Sequence, residues 1–187
     1  DFVKGNNTQQ TPISLIYAAS LRYERQTDGS RPWHQLYDYP SYGLGLYIAD
    51  FNVKNQLGKP IALYGFMSSY VINKPKWSLK TEISIGLAFN WQHFSAENPL
   101  NDAMGASLSC YIDAGMSAYR LIGSKFEIGA GLSLSHFSNG AMAKPNKGLN
   151  VITPKLSLKY KPYGAFEYAQ TQLPPFTSTI EDLTTFF

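Results

Sequence analysis

Trp77-Ser78-Leu79-Lys80-Thr81-Glu82-Ile83-Ser84-Ile85-Gly86-Leu87-Ala88-Phe89-Asn90-Trp91 alternates without a break. The odd positions carry Trp, Leu, Thr, Ile, Ile, Leu, Phe and Trp, and the even positions carry Ser, Lys, Glu, Ser, Gly, Ala and Asn. Period two marks a β-strand with one apolar face, because successive side chains leave a strand on opposite sides. At about 3.3 Å per residue the stretch would run roughly 45 Å, against the usual strand of about 5–6 residues. Tilted by about 40°, it still crosses an apolar band of about 25 Å.

The same alternation recurs on both sides of this stretch. Ile13, Leu15, Tyr17, Ala19, Leu21 and Tyr23 share one parity; Tyr42, Leu44, Leu46 and Ile48 lie opposite Gly43 and Gly45. Residues 60–72 are apolar on both faces. Ala106, Leu108, Cys110, Ile112, Ala114, Met116 and Ala118 oppose Ser107, Ser109, Tyr111, Asp113, Gly115 and Ser117. Phe126, Ile128, Ala130, Leu132 and Leu134 oppose Glu127, Gly129, Gly131, Ser133 and Ser135, and Ile152, Leu156, Leu158 and Tyr160 oppose Thr153, Lys155, Ser157 and Lys159. That makes seven long strands separated by turn signals such as Asn73-Lys74-Pro75-Lys76 and Gly123-Ser124-Lys125.

Composition narrows the class. Charged residues are 16% of the 187, against roughly 25% in an ordinary soluble domain, while aromatics are 14%. A net charge of +3 does not suggest a nucleic-acid binder, and Cys110, the single cysteine, allows neither an internal disulfide nor a multi-cysteine zinc site. No run of about 18 apolar residues exists to form a membrane helix. Asp1-Phe2-Val3-Lys4 lacks the apolar core of a signal peptide. An all-β chain remains, either a soluble barrel around an apolar ligand or a membrane barrel with a polar lumen. Strand length, the bracketing Trp77 and Trp91, and Lys80, Glu82, Asp113, Glu127, Lys155 and Lys159 on the polar parity, where they can pair across a lumen, favour the membrane. The expected fold is an antiparallel up-and-down transmembrane β-barrel of about eight strands over residues 1–162. Residues 163–187, with Pro174-Pro175 and Asp182, form a C-terminal extension.

Connections 73–76 and 122–125 are tight and share one end; 52–59, 92–104 and 138–148 are longer and share the other. Bacterial barrels keep short turns in the periplasm and long loops outside, which makes the second set extracellular. The long 24–41 connection then breaks the rule. The first strand begins outside, so an eighth must precede it or come from 163–187; residues 1–12 are polar and short.

Residues 136–150 carry the chemistry: His136-Phe137-Ser138-Asn139-Gly140-Ala141-Met142-Ala143-Lys144-Pro145-Asn146-Lys147-Gly148-Leu149-Asn150. His136 and Ser138 lie two apart on a strand, on one face, as a base and a nucleophilic hydroxyl require. Both continue the apolar, lipid-facing parity, and Asn150 does the same in phase with Ile152. Three polar groups on the outside of a membrane wall are costly unless they work together, and only a lipid reaches them there. Read alone, Ser138-Asn139-Gly140 and Pro145-Asn146-Lys147-Gly148 are turn signals. His34 reads as an anchor within a Tyr- and Trp-rich loop, His93 as a loop residue near lipid phosphate, and Asp113 and Glu127 as lumen ion-pair partners.

His-x-Ser-Asn followed by Pro-Asn-x-Gly at this spacing resembles the lipid A 3-O-deacylase (PagL) family, also called acyloxyacyl hydrolases. The resemblance covers most of 13–162 and is strong in 126–160; Trp33-His34-Gln35-Leu36-Tyr37-Asp38-Tyr39-Pro40 also looks like a segment of longer relatives in Bacteroidetes. It implies an eight-stranded barrel in the bacterial outer membrane that hydrolyses the ester-linked acyl chain at the 3-position of lipid A in lipopolysaccharide, without metal or cofactor. Carried over, Ser138 is the nucleophile and His136 the general base. Asn139, Asn146, Gly140 and Ala141 are the oxyanion-hole candidates. Asn150 stands where the best-known members have a Glu; an Asn orients the imidazole but adds no charge. The alternative reading is a catalytically weak barrel serving as a structural or accessory subunit among outer-membrane protein partners.

Overall fold

A computed structural model describes residues 4–5, 12–13, 15–52 and 56–164. Its seven strands are β1 (Tyr17–Gln26), β2 (Ser41–Asp50), β3 (Gly58–Asn73), β4 (Trp77–Trp91), β5 (Ser109–Ile122), β6 (Phe126–Ser138) and β7 (Leu149–Tyr160). They form one antiparallel up-and-down sheet in the order β1-β2-β3-β4-β5-β6-β7. A five-residue helix, α1 (Pro32–Leu36), lies between β1 and β2. It is a correction to the loop expected there. Pro32 in its first turn suits a helix start, and five residues are too few to show a helical period in sequence. β1 begins four residues later than the alternation from Ile13 implies, and β5 starts at Ser109, because Ala106–Leu108 belong to the preceding loop.

The polarity is that of a membrane barrel. Ile83, Ile85, Leu87 and Leu132 face outward at 53–68% exposure, while Lys80, Ser84, Asp113 and Glu127 are buried on the other face. The charged and hydroxyl side chains on the inner face are not those of a uniformly apolar lumen. The sheet curls into a half-barrel until its edges approach: Lys159 Nζ on β7 lies 2.7 Å from Glu24 Oε2 on β1. β1 and β7 do not pair among the described residues. Edge residues Leu21 and Leu156 are accordingly the most open, at 78% and 89%. The expected eighth strand and the C-terminal extension fall almost wholly outside the described residues.

The lumen is filled in two layers. Toward the end bearing the 51–57, 92–108 and 139–148 loops, Phe51, Tyr64, Phe66, Trp91, Tyr111 and Phe137 pile together; Phe137 is fully buried, with its ring 5.1 Å from those of Trp91 and Tyr111. This pile explains why residues 60–72 are apolar on both faces: Ala62, Tyr64 and Phe66 point into an aromatic interior. Tyr64 lies flat against Gly45, where an added Cβ would meet its ring at 2.2 Å, and its hydroxyl hydrogen-bonds Ser20 Oγ at 2.6 Å. Toward the hairpin end the lumen is ionic. Arg22 meets Glu82 at 2.5 Å, Lys155 meets Glu82 at 3.3 Å and Asp113 at 3.5 Å, Lys80 meets Glu24 at 3.6 Å, and Lys161 meets Glu127 at 2.6 Å.

Arginine placed on the lipid face tests this polarity. Leu132→Arg should cost about 2–4 kcal/mol near the midplane of a bilayer, measured by reversible refolding. Ser84→Arg, on the lumen side, is no neutral control, because Ser84 is 2% exposed and a larger side chain there overpacks the interior. Thr153→Arg, half-buried beside the open edge, is the proper lumen comparison and should cost less. A Leu132→Arg cost below that of Thr153→Arg would reverse the assignment of the two faces.

Candidate active site

β6 and β7 bring the sequence candidates together. His136 is the direct cross-strand partner of Asn150, and its Nδ1 lies 2.8 Å from Asn150 Oδ1. An amide oxygen accepts, so this bond places the hydrogen on Nδ1 and leaves Nε2 as the basic nitrogen. Ser138 follows two residues on, opposite Cys110, and His136 is also opposite Ile112. Below them on the same outward face lie Ile112, Leu134 and Ile152, exposed at 41%, 50% and 76%. They form an apolar slope down the wall from the polar cluster. Phe137 points the other way into the lumen, so one strand carries the site on one side and the core on the other.

Gly148 forms the floor between the two groups. A Cβ there would sit 3.3 Å from His136 Cε1, 3.4 Å from Ser138 Cβ and 2.8 Å from Phe137 O, and its φ of +68° is left-handed. Gly148→Ala should therefore push ring and hydroxyl apart and cut ester hydrolysis by about tenfold or more, since small misplacements of reacting groups are expensive. Unchanged turnover in a lipid A assay of a folded Gly148→Ala barrel would show that this gap is not used.

The loop 139–148 starts with a tight turn. Met142 N–H donates to Asn139 O at 3.2 Å, and Gly140 and Ala141 both have φ of +62°. Left-handed backbone is costly for Ala, on the order of 1 kcal/mol. Asn139 turns inward: it is fully buried, its Nδ2 donates to Ala143 O at 3.0 Å, and its backbone N–H donates to Asn146 Oδ1 at 3.1 Å. Its carboxamide braces the loop rather than facing the lipid. Asn146, with Oδ1 committed to that bond, keeps an amide donor, and the Gly140 and Ala141 N–H groups donate to no backbone acceptor among the described residues.

A second loop, 92–108, supports the first. Lys147 N–H and Gly148 N–H donate to Asp102 O and Ala103 O, each at 3.0 Å, and Lys147 Nζ lies 2.6 Å from Asp102 Oδ2. Asn101 is fully buried. Its Nδ2 donates to Gln56 O and Gln92 O, both at 2.9 Å, and its Oδ1 accepts from the N–H groups of Ala103 and Met104. Asn101 and Asp102 were not singled out in sequence; the only signal was the Asn-rich run Asn98-Pro99-Leu100-Asn101-Asp102, which favours such side-chain-to-backbone turns. His93 is exposed on this loop. His34 is 7% exposed within α1, 3.2 Å from Asp28 Oδ1, far along the chain from the cluster. Among the described residues no group of three or more His, Cys, Asp or Glu side chains is placed to hold a metal.

A curled antiparallel wall with an aliphatic outside and a polar inside defines a β-barrel of the membrane type. Residues 17–160 match the sequence model of the lipid A 3-O-deacylase (PagL) family, and the chain belongs to that family of outer-membrane enzymes. Searches of curated proteins and of solved structures gave no match.

Proposed function

We propose that the protein is an outer-membrane hydrolase that removes the ester-linked 3-position acyl chain of lipid A, using Ser138, His136 and Asn150 on the face turned to the outer leaflet. The observation that carries this reading is the 2.8 Å bond from His136 to Asn150 on the lipid-exposed side of the wall, two residues from Ser138. Family membership supports the reaction class. With Asn150 fixing the Nδ1–H tautomer, His136 Nε2 takes the Ser138 proton as Oγ attacks the ester carbonyl. The tetrahedral oxyanion is met by the Gly140 and Ala141 N–H groups and the Asn146 amide, donors that need no metal or cofactor. The imidazolium then returns its proton to the departing sugar hydroxyl, and water attacks the acyl-serine by the same route in reverse. The acyl chain lies down the slope of Ile112, Leu134 and Ile152, in the lipid it already occupies.

Expression in a Gram-negative host followed by mass spectrometry of its lipid A tests the proposal. Loss of one 3-hydroxyacyl mass, absent with Ser138→Ala, is the expected result. Intact lipid A from a correctly inserted barrel would favour the accessory-subunit reading, with Asn150 in place of a carboxylate as its cause.

A further inference from the structure

The deacylase reading makes no use of the 27–40 connection, which is long at the end where the other connections are three-residue turns. Arg25, the last outward-facing residue of β1, stands directly opposite Tyr42 on β2. Beside this pair is a cavity of ≈ 160 Å³ lined in part by Arg25, Asp28, Arg31, Trp33, His34 and Tyr42. The Trp33 and Tyr42 ring centroids are 6.4 Å apart. Arg25 and Tyr42, on the lipid-facing parity, line the cavity from the outer side of the wall. It lies at the level of an exposed aromatic belt, Tyr23, Tyr42, Trp77, Phe126 and Tyr160. Such belts mark the headgroup level of a membrane.

The charges there are unbalanced. Neither the Arg25 nor the Arg31 guanidinium has an ion pair among the described residues. Asp28 is held in place: its Oδ1 accepts the Ser30 N–H at 3.0 Å and hydroxyl at 2.6 Å and lies 3.2 Å from His34 Nδ1. The Ser30 hydrogen bonds hold its carboxyl at about 2, so it is ionised at neutral pH.

We propose that this cavity binds the headgroup of a zwitterionic phospholipid, with the phosphate between Arg25 and Arg31 and the ammonium beside Asp28. The planar guanidinium fork matches phosphate oxygens in pairs. A fixed carboxylate next to two cations suits a headgroup carrying both signs better than a purely anionic one. Trp33 and Tyr42 are amphipathic walls of the kind that sit at the glycerol level.

Native mass spectrometry of the full chain in detergent, with phosphatidylethanolamine and phosphatidylglycerol added at equal concentration, tests the site. The chain should retain the ethanolamine lipid preferentially. Arg25→Gln with Arg31→Gln should cut retention about 10- to 100-fold, as expected for loss of charge-assisted bonds. Arg25→Lys with Arg31→Lys, which keeps the charge, should fall between, and Asp28→Asn should erase the preference for ethanolamine. Lys76→Gln, an exposed cation at the same end, should change nothing. Equal retention by the double Gln variant, an equal loss with Lys76→Gln, or full displacement by millimolar inorganic phosphate would each overturn the proposal. The measurement reads binding alone, so its outcome is independent of whether Ser138 is a nucleophile.

Discussion

Ser138→Ala should abolish release of 3-hydroxy fatty acid from lipid A, a loss of at least about 10⁴-fold, while the barrel still folds. His136→Ala should cost about as much, because a nucleophile and its base act as one unit and their losses do not add. Asn150→Ala should cost less than either. The amide keeps the ring turned and the proton on Nδ1 through the 2.8 Å bond, but it brings no negative charge to the imidazolium. Asn150→Glu is therefore expected to raise the rate, with a ceiling of about 10⁴ set by what neutralising a triad carboxylate costs elsewhere. Fatty-acid release by purified variants in mixed micelles, with folding checked by heat-modifiable mobility, separates these outcomes. A Ser138→Ala barrel that still releases fatty acid at the parent rate would remove Ser138 from the chemistry.

Glu82→Ala should destabilise the barrel by about 3–5 kcal/mol, the largest stability effect expected of a single truncation in the lumen. The Glu82 side chain is 8% exposed and holds Arg22 at 2.5 Å and Lys155 at 3.3 Å. Its removal leaves Arg22, half-buried over the Phe66 ring at 3.7 Å from the centroid, without its ion-pair partner. It also leaves Lys155 only the longer contact with Asp113. Salt screens such a pair poorly, so the loss should persist at high ionic strength. Urea unfolding in micelles, followed by tryptophan fluorescence, measures it. A change below about 1 kcal/mol would mean that water reaches these charges and that the lumen is wetter than its burial implies.

Much of the fold was legible in sequence because each strand has one face in lipid and one in the lumen. From Trp77 to Trp91 the alternation gives both the strand and its ends. It fails where a third environment intrudes. Residues 60–72 lose their polar parity because their lumen side faces the aromatic pile, and Ala106–Leu108 alternate like a strand but belong to the loop before β5. α1 is too short for periodicity to register. The site divides in the same way. That His136, Ser138 and Asn150 share the outward face follows from parity; the direct pairing of His136 with Asn150 is set by the β6–β7 register. The inward turn of Asn139 and the bracing by Asn101 and Asp102 rest on contacts between residues far apart in sequence, which no local pattern encodes.

The two-layer filling of the lumen has a consequence for permeability. Among the described residues, aromatic rings around Phe137 occupy one half of the lumen face and paired charges such as Arg22–Glu82 the other, which leaves little room for a column of water along that face. A planar bilayer containing the protein should show no unitary current steps, and a cell that overproduces it should gain no sensitivity to small hydrophilic antibiotics. Traffic, on this architecture, belongs to the outer surface of the wall.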